Sequence, residues 1–339
     1  MTKRVPAKAK HEDLTESVVA GDRRALARAI TLIESTRADH RAEAAVIVDK
    51  LLPAAGNSIR LGISGAPGVG KSTFIEALGL HVIAQGHRVA VLAVDPSSKI
   101  GGGSILGDKT RMAELAKDER AFIRPSPAGG TLGGVARRTR ESITAVEAAG
   151  FDVVVVETVG VGQSETAVAD MVDMFVLILQ PAGGDDLQGM KRGIVELADL
   201  ILVNKSDGEL AAAAGRTAAD YQHAIRLLRA PTPGWTPEVR QCSALAGAGI
   251  AEVWQTVERF RQALGADGRF QGRRSEQAKA ALHEELSESL LAALRSDPEV
   301  ARRLADLEKR VAGGRLSPAA AADAVAAAFL GRSAPDRSK

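Results

Sequence analysis

The stretch Gly65-Ala66-Pro67-Gly68-Val69-Gly70-Lys71-Ser72 satisfies the phosphate-binding pattern G-x-x-x-x-G-K-[ST] at every fixed position. Its flanks suit the pattern. Ile59, Leu61 and Ile63 alternate with smaller or polar residues, as in a short strand. Thr73 to Ile83 reads as a helix, with Phe74, Leu78 and Val82 spaced four apart. A strand therefore runs through a glycine loop into a helix. Glycines let the backbone wrap an anion with its N–H groups pointing inward. The helix N-terminus adds partial positive charge. Residues Gly65 to Thr73 would line the phosphates, Lys71 would reach the β- and γ-phosphates, and the Ser72 hydroxyl would ligate Mg²⁺.

Outward from this loop the pattern is strand and helix in alternation, from Ile59 to about Ala263. Strands are expected at 88–94, 121–124, 151–157, 173–179, 200–204 and 239–243, and a helix at 131–149. Phe151-Asp152-Val153-Val154-Val155-Val156-Glu157 is almost continuously apolar, as when both faces of a strand are buried. The expected fold is α/β, a mostly parallel sheet covered by helices on both faces. Ligands then bind at the carboxyl ends of the strands.

Residues 1–55 form an N-terminal helical segment, 56–264 the nucleotide-binding domain and 265–339 a C-terminal helical arm. In the first, Leu26, Ala29, Ile30 and Ile33 share one face, with Asp22 a candidate N-cap. Ala44, Ile47, Val48 and Leu51 share another. In the arm, Leu282, Leu286, Leu290 and Leu294 recur every four residues, and Val300, Leu304, Leu307 and Val311 form a second stripe. Ser317-Pro318 opens a third helix. Either the arm packs on its own sheet or it joins two copies.

Composition narrows the class. Of 339 residues, 44 are basic and 42 acidic, a net charge of +2 with no long Lys/Arg run, so no nucleic-acid surface is expected. Hydrophobic residues make up 45%, without an apolar run long enough for a membrane span. The single cysteine, Cys242, excludes an internal disulfide and fits a reducing compartment, the cytoplasm.

Further motifs fall at strand ends. Asn204-Lys205-Ser206-Asp207 matches N-K-x-D. The Asp207 carboxylate can accept from guanine N1–H and the 2-amino group. Adenine offers a lone pair at N1 and no amino group there, so it is rejected. Lys205 would lay its methylene stem along the base. Ser243-Ala244-Leu245 would turn backbone N–H groups toward guanine O6. Glu157-Thr158-Val159-Gly160 stands where nucleotide hydrolases carry D-x-x-G: the acid holds Mg²⁺ and the Gly160 N–H senses the γ-phosphate. Val161 stands where Ras-like proteins place a water-orienting Gln, so slow intrinsic hydrolysis is expected. Asp95, in Asp95-Pro96-Ser97-Ser98, suits a switch closing on Mg²⁺. Asp108 suits either such a switch or a solvated loop. Gln180 to Lys191 adds a Gly/Pro-rich loop at another strand end.

Together G-A-P-G-V-G-K-S-T, D-P-S-S, E-T-V-G-V-G-Q-S-E, Q-P-A-G-G-D-D-L-Q-G and N-K-S-D resemble the methylmalonyl-CoA mutase-associated GTPases, the MeaB/ArgK group. The likeness spans about residues 15–330, and no position departs clearly from the pattern. It implies a GTP-hydrolysing chaperone of an adenosylcobalamin-dependent acyl-CoA mutase, most often methylmalonyl-CoA mutase. Such a chaperone gates cofactor loading and protects or rescues its partner. The resemblance also implies a homodimer through the C-terminal arm, Mg²⁺ with GTP or GDP, a catalytic or metal role for Lys71, Asp95, Asp108 and Glu157, and a functional lysine at Lys191. The alternatives are a metal-delivery GTPase, an ATP-dependent kinase and a non-catalytic nucleotide-gated scaffold, the last disfavoured by the full Lys71, Ser72 and Glu157 set. The first needs soft or imidazole ligands, and the six histidines and Cys242 show no ligand spacing. N-K-S-D argues against the second.

Overall fold

The computed structural model describes residues 14–94, 112–125, 132–158, 164–181, 192–265 and 268–331. Its centre is a sheet of seven strands: β1 (Ile59–Ser64), β2 (Val89–Val94), β3 (Ala121–Pro125), β4 (Val153–Thr158), β5 (Met174–Leu179), β6 (Leu200–Val203) and β7 (Glu238–Gln241). Their order is β3-β2-β4-β1-β5-β6-β7, and every pairing is parallel. Each strand anticipated from the sequence is present. The sheet is wholly parallel among the described residues, where a mostly parallel one was expected.

Helices cover both faces. Helices α1 (Arg23–Glu34) and α2 (Ala38–Leu51) precede the sheet, and α3 (Lys71–Ala84) follows β1. After β3 comes α4 (Leu132–Ala148), and after β4 comes α5 (Ser164–Ala169). Then follow a four-residue helix α6 (Arg192–Val195), α7 (Ala211–Ile225) and α8 (Ile250–Gly265).

One core layer joins Ile59, Leu61 and Ile63 of β1 to Phe74, Leu78 and Val82 of α3 and to Val257 and Phe260 of α8. The opposite layer joins Val154 and Val156 of β4 to Ile143 and Val146 of α4 and Val168 of α5. Leu26 and Ile30 of α1 and Ile47 of α2 belong to this second layer, so the N-terminal helices pack onto the flank of the sheet. Each fully buried Leu, Ile or Phe contributes about 2 kcal/mol. Asp22 caps α1 as anticipated: its Oδ1 accepts from Arg24 N at 2.7 Å and Ala25 N at 3.0 Å.

The end of the sheet opposite the glycine loop is tied by ions. Arg60 forks onto Glu147 at 2.7 and 2.8 Å, and Glu147 also accepts from Ser58 Oγ at 2.5 Å and Gly56 N at 2.8 Å. Arg274, at the start of the long helix α9 (Arg269–Ser296), forks onto Asp173 at 2.8 and 2.6 Å. Such forks are geometrically specific as well as strong.

Residues 1–277 form one compact unit and 278–339 a second. Within the second, α10 (Pro298–Ala312) and α11 (Pro318–Phe329) pack through Val300, Leu307 and Val325. Asp297 and Ser317 cap these helices, and a proline follows each cap, as expected for Ser317-Pro318. Leu294 joins this small core. The rest of its stripe does not: Leu282, Leu286 and Leu290 are 66%, 53% and 54% exposed.

Candidate functional site: a nucleotide cleft at the strand tips

The glycine loop leaves the carboxyl end of β1, in the centre of the sheet. Gly65, Gly68 and Gly70 all have positive φ. At Gly65 a Cβ would lie 2.4 Å from the Ile178 carbonyl of β5, so no side chain fits there. At Gly70 a Cβ would lie 2.6 Å from Asn204 Nδ2. The loop is therefore pressed against its neighbours on two sides. Lys71 opens α3, and its Nζ donates to the Gly65 carbonyl at 2.8 Å and the Ala66 carbonyl at 3.3 Å. The ammonium is held over the loop by the backbone it serves.

Ser72, on the first turn of α3, donates to Glu157 Oε1 at the tip of β4, 3.3 Å away. Glu157, the last residue but one of β4, is buried. A hydroxyl and a carboxylate converging beside a phosphate loop form an all-oxygen donor pair, the chemistry Mg²⁺ prefers. The residues present fit that ion. Among the described residues, no three His, Cys, Asp or Glu side chains gather as a metal site of their own.

The N-K-x-D segment leaves β6, two strands from β1. Asn204 is buried, and both ends of its amide are engaged. Its Nδ2 donates to the Val69 carbonyl at 2.8 Å, and its Oδ1 accepts from Ala244 N at 3.0 Å and Cys242 Sγ at 3.7 Å. Lys205, the one non-glycine residue of positive φ among the described residues, donates to the Gly68 carbonyl at 2.7 Å. Asn204 and Lys205 thus clasp the glycine loop from the β6 side. Asp207 is exposed beyond them, with its backbone carbonyl accepting from Leu210 N at 3.2 Å.

Ser243-Ala244-Leu245 turns out of the sheet after β7. Ser243 N donates to the Ala248 carbonyl at 2.9 Å, and Ser243 Oγ accepts from Ala246 N at 3.2 Å. Leu245 is 88% exposed, while Ser243 and Ala244 are buried. Cys242 has no reactive character: burial pushes its thiol up to about 12.

The structure therefore brings Gly65 to Thr73, Glu157, Asn204, Lys205, Asp207 and Ser243 to Leu245 to one edge of one sheet. Asp95, Asp108, Gly160 and Lys191 lie outside the described residues. Sequence reasoning passed over Ser64 and Thr158, two buried hydroxyls at the tips of β1 and β4. Their signal was a hydroxyl where an apolar strand would otherwise continue in aliphatic residues.

The glycine loop after β1 and the N-K-x-D segment after β6, joined at one edge of the sheet, agree with the comparisons. The model of the family described as "Methylmalonyl Co-A mutase-associated GTPase MeaB" matches residues 26–299. The chain belongs to the MeaB family. A Mycobacterium tuberculosis member named "Probable GTPase Rv1496" is 54% identical over 94% of this chain and 96% of its own length. A mouse relative named "Methylmalonic aciduria type A homolog, mitochondrial" is 48% identical over 94% of this chain and 79% of its own. Among solved structures, one described as an LAO/AO transport system kinase superposes with a TM-score of 0.77 at 38% identity, covering 96% of this chain and all of its own. This MeaB-family chain is a P-loop GTPase that binds guanine nucleotide.

Proposed function

We propose that this GTPase is a chaperone of an adenosylcobalamin-dependent acyl-CoA mutase, most simply methylmalonyl-CoA mutase. It gates cofactor loading and protects or reactivates the mutase. The name of the matched family supports this partner, as does the name of the mouse relative. The observation that carries the nucleotide chemistry is the Asn204 clasp, which joins phosphate cradle and base reader into one site.

In this reading the loop from Gly65 to Thr73 holds the phosphates. Lys71 offsets charge developing on the transferring group. Ser72 and Glu157 would hold Mg²⁺, with Asp95 and Asp108 as further acids; the ion supplies charge neutralisation. Asp207 selects guanine, Lys205 flanks the base, and backbone N–H groups of Ser243 to Leu245 meet its O6. The Gly160 N–H reads the γ-phosphate. Lys191 acts when the partner docks. Hydrolysis is slow alone, because Val161 rather than a glutamine directly follows Gly160, and faster with the mutase. The chain works in the cytoplasm as a homodimer joined by its C-terminal arm, and the exposed leucines of α9 support that joint.

The test is co-purification with candidate acyl-CoA mutases acting on methylmalonyl-, ethylmalonyl- or isobutyryl-CoA, with GTP turnover measured in each mixture. One mutase should bind and accelerate turnover, and Lys191→Ala should remove the acceleration while sparing GTP binding. No binding and no acceleration with any of the three would overturn the chaperone reading.

A further inference from the structure

Strand β4 reads Val153-Val154-Val155-Val156 and then turns polar at Glu157 and Thr158. Alternation sends these two side chains to opposite faces. Glu157 points to the layer of α3, where it meets Ser72. Thr158 points to the other layer and is fully buried. Its Oγ1 donates to Ser64 Oγ at 3.0 Å and lies 3.4 Å from the Ile63 carbonyl. Ser64 is itself 1% exposed. The last β1–β4 partners in the ladder are Ile63 and Glu157, so the two hydroxyls meet one step beyond it.

A valine would fill the space of Thr158 without burying a hydroxyl, and four valines precede it. Burying a hydroxyl is unfavourable unless it is bonded, and this one is bonded sideways to the neighbouring strand tip. That tip leads directly into Gly65, where a Cβ would lie 2.4 Å from the Ile178 carbonyl of β5. On the other face Glu157 of the β4 tip meets Ser72, which the glycine loop from the β1 tip delivers on the first turn of α3. A small, octahedral divalent cation tolerates little error in the spacing of its ligands.

We propose that Thr158 is a positioning residue: its hydroxyl, through Ser64, sets the spacing of the β1 and β4 tips. It thereby holds Glu157 and Ser72 at the separation a nucleotide-bound divalent cation needs. This rests on the reading of the site as a magnesium–GTP site.

Thr158→Val and Thr158→Ser test it in the full-length protein. A fluorescent GTP analogue is titrated at fixed protein while Mg²⁺ is varied, and affinity without Mg²⁺ is measured in EDTA. Loss of one positioning hydrogen bond should raise the Mg²⁺ needed for half-maximal binding about tenfold in Thr158→Val. Affinity in EDTA should change less than about threefold, because the loop N–H groups are intact. Thr158→Ser, which restores the hydroxyl, should behave as wild type. A Thr158→Val profile equal to wild type, or an equal loss in both variants, would overturn the inference. Should Thr158→Val not fold, Ser64→Ala carries the same measurement, and an unchanged Mg²⁺ requirement there overturns it. Wild-type protein that binds no GTP analogue at any Mg²⁺ concentration would instead overturn the site reading itself.

Discussion

Asn204 Nδ2 donates to the Val69 carbonyl at 2.8 Å, across 135 positions of the chain. One amide so links the glycine loop to the N-K-x-D segment, and its oxygen links both to Ala244. If the two loops hold the two ends of a nucleotide as proposed, binding at either end should depend on Asn204. Asn204→Ala leaves a buried N–H and a buried carbonyl unpaired, each at a cost of about 1–3 kcal/mol. GTP and GDP affinity should both fall by at least about tenfold in nucleotide titrations. Unchanged affinity for both would show that the clasp has no part in binding.

Asp207 should decide the base. Asp207→Asn replaces an acceptor with a group that can also donate. GTP should lose at least about a hundredfold in affinity, because a site built for two guanine donors no longer accepts both. Xanthosine triphosphate carries a carbonyl in place of the 2-amino group and should gain. Competition titrations with GTP, ATP and xanthosine triphosphate check this.

The three loop glycines should separate by their neighbours. At Gly65 a Cβ meets the backbone oxygen of Ile178, and at Gly70 it meets Asn204 Nδ2. At Gly68 it meets nothing within 4 Å. Gly68→Ala should cost only the left-handed strain, about 1–2 kcal/mol. Gly65→Ala should cost more, since backbone cannot step aside, and should abolish nucleotide binding. Denaturant melts and nucleotide titrations of the two variants give the comparison.

Acid should weaken the fold through Glu147. Burial pushes its carboxyl up, but Arg60, Ser58 and the Gly56 N–H outweigh burial, and its pKa ends below the ordinary 4.5. A depressed folded-state value means the unfolded chain takes up the proton first. The stabilisation is complete above about pH 4.5 and is lost as pH falls through the folded value. Glu34 works in the opposite sense, because burial raises its pKa. Glu147→Gln should therefore flatten the acid limb, and Glu147→Ala should cost about 3 kcal/mol by stranding Arg60. Urea melts from pH 3 to 7, pH values chosen to bracket the ordinary carboxylate range, read both effects.

Single-turnover hydrolysis by the protein alone should stay below about 1 s⁻¹, the range other GTPases reach only with assistance. Quench-flow with excess protein measures it. The exposed Leu282, Leu286 and Leu290 predict the oligomer. Light scattering should report two copies, and one copy after all three are changed to Glu.

Much of this was legible along the chain. Strand positions followed from apolar runs bounded by glycine and charge, and every strand appears within two residues or so of its expected place. The phosphate loop, N-K-x-D and the acid of β4 were legible because each is a local pattern at a strand end. Leu282, Leu286 and Leu290 were legible as a stripe, but spacing could not say whether anything covered them.

Periodicity and short motifs determined the sheet, its covering helices and the guanine nucleotide, since each depends on neighbours in the chain. Only the tertiary structure decided that Asn204 clasps Val69, that Thr158 leans on Ser64 and that Glu147 locks Arg60. Those partners lie far apart in sequence, and hydrogen bonds depend on distance and direction in space, which no one-dimensional spacing encodes.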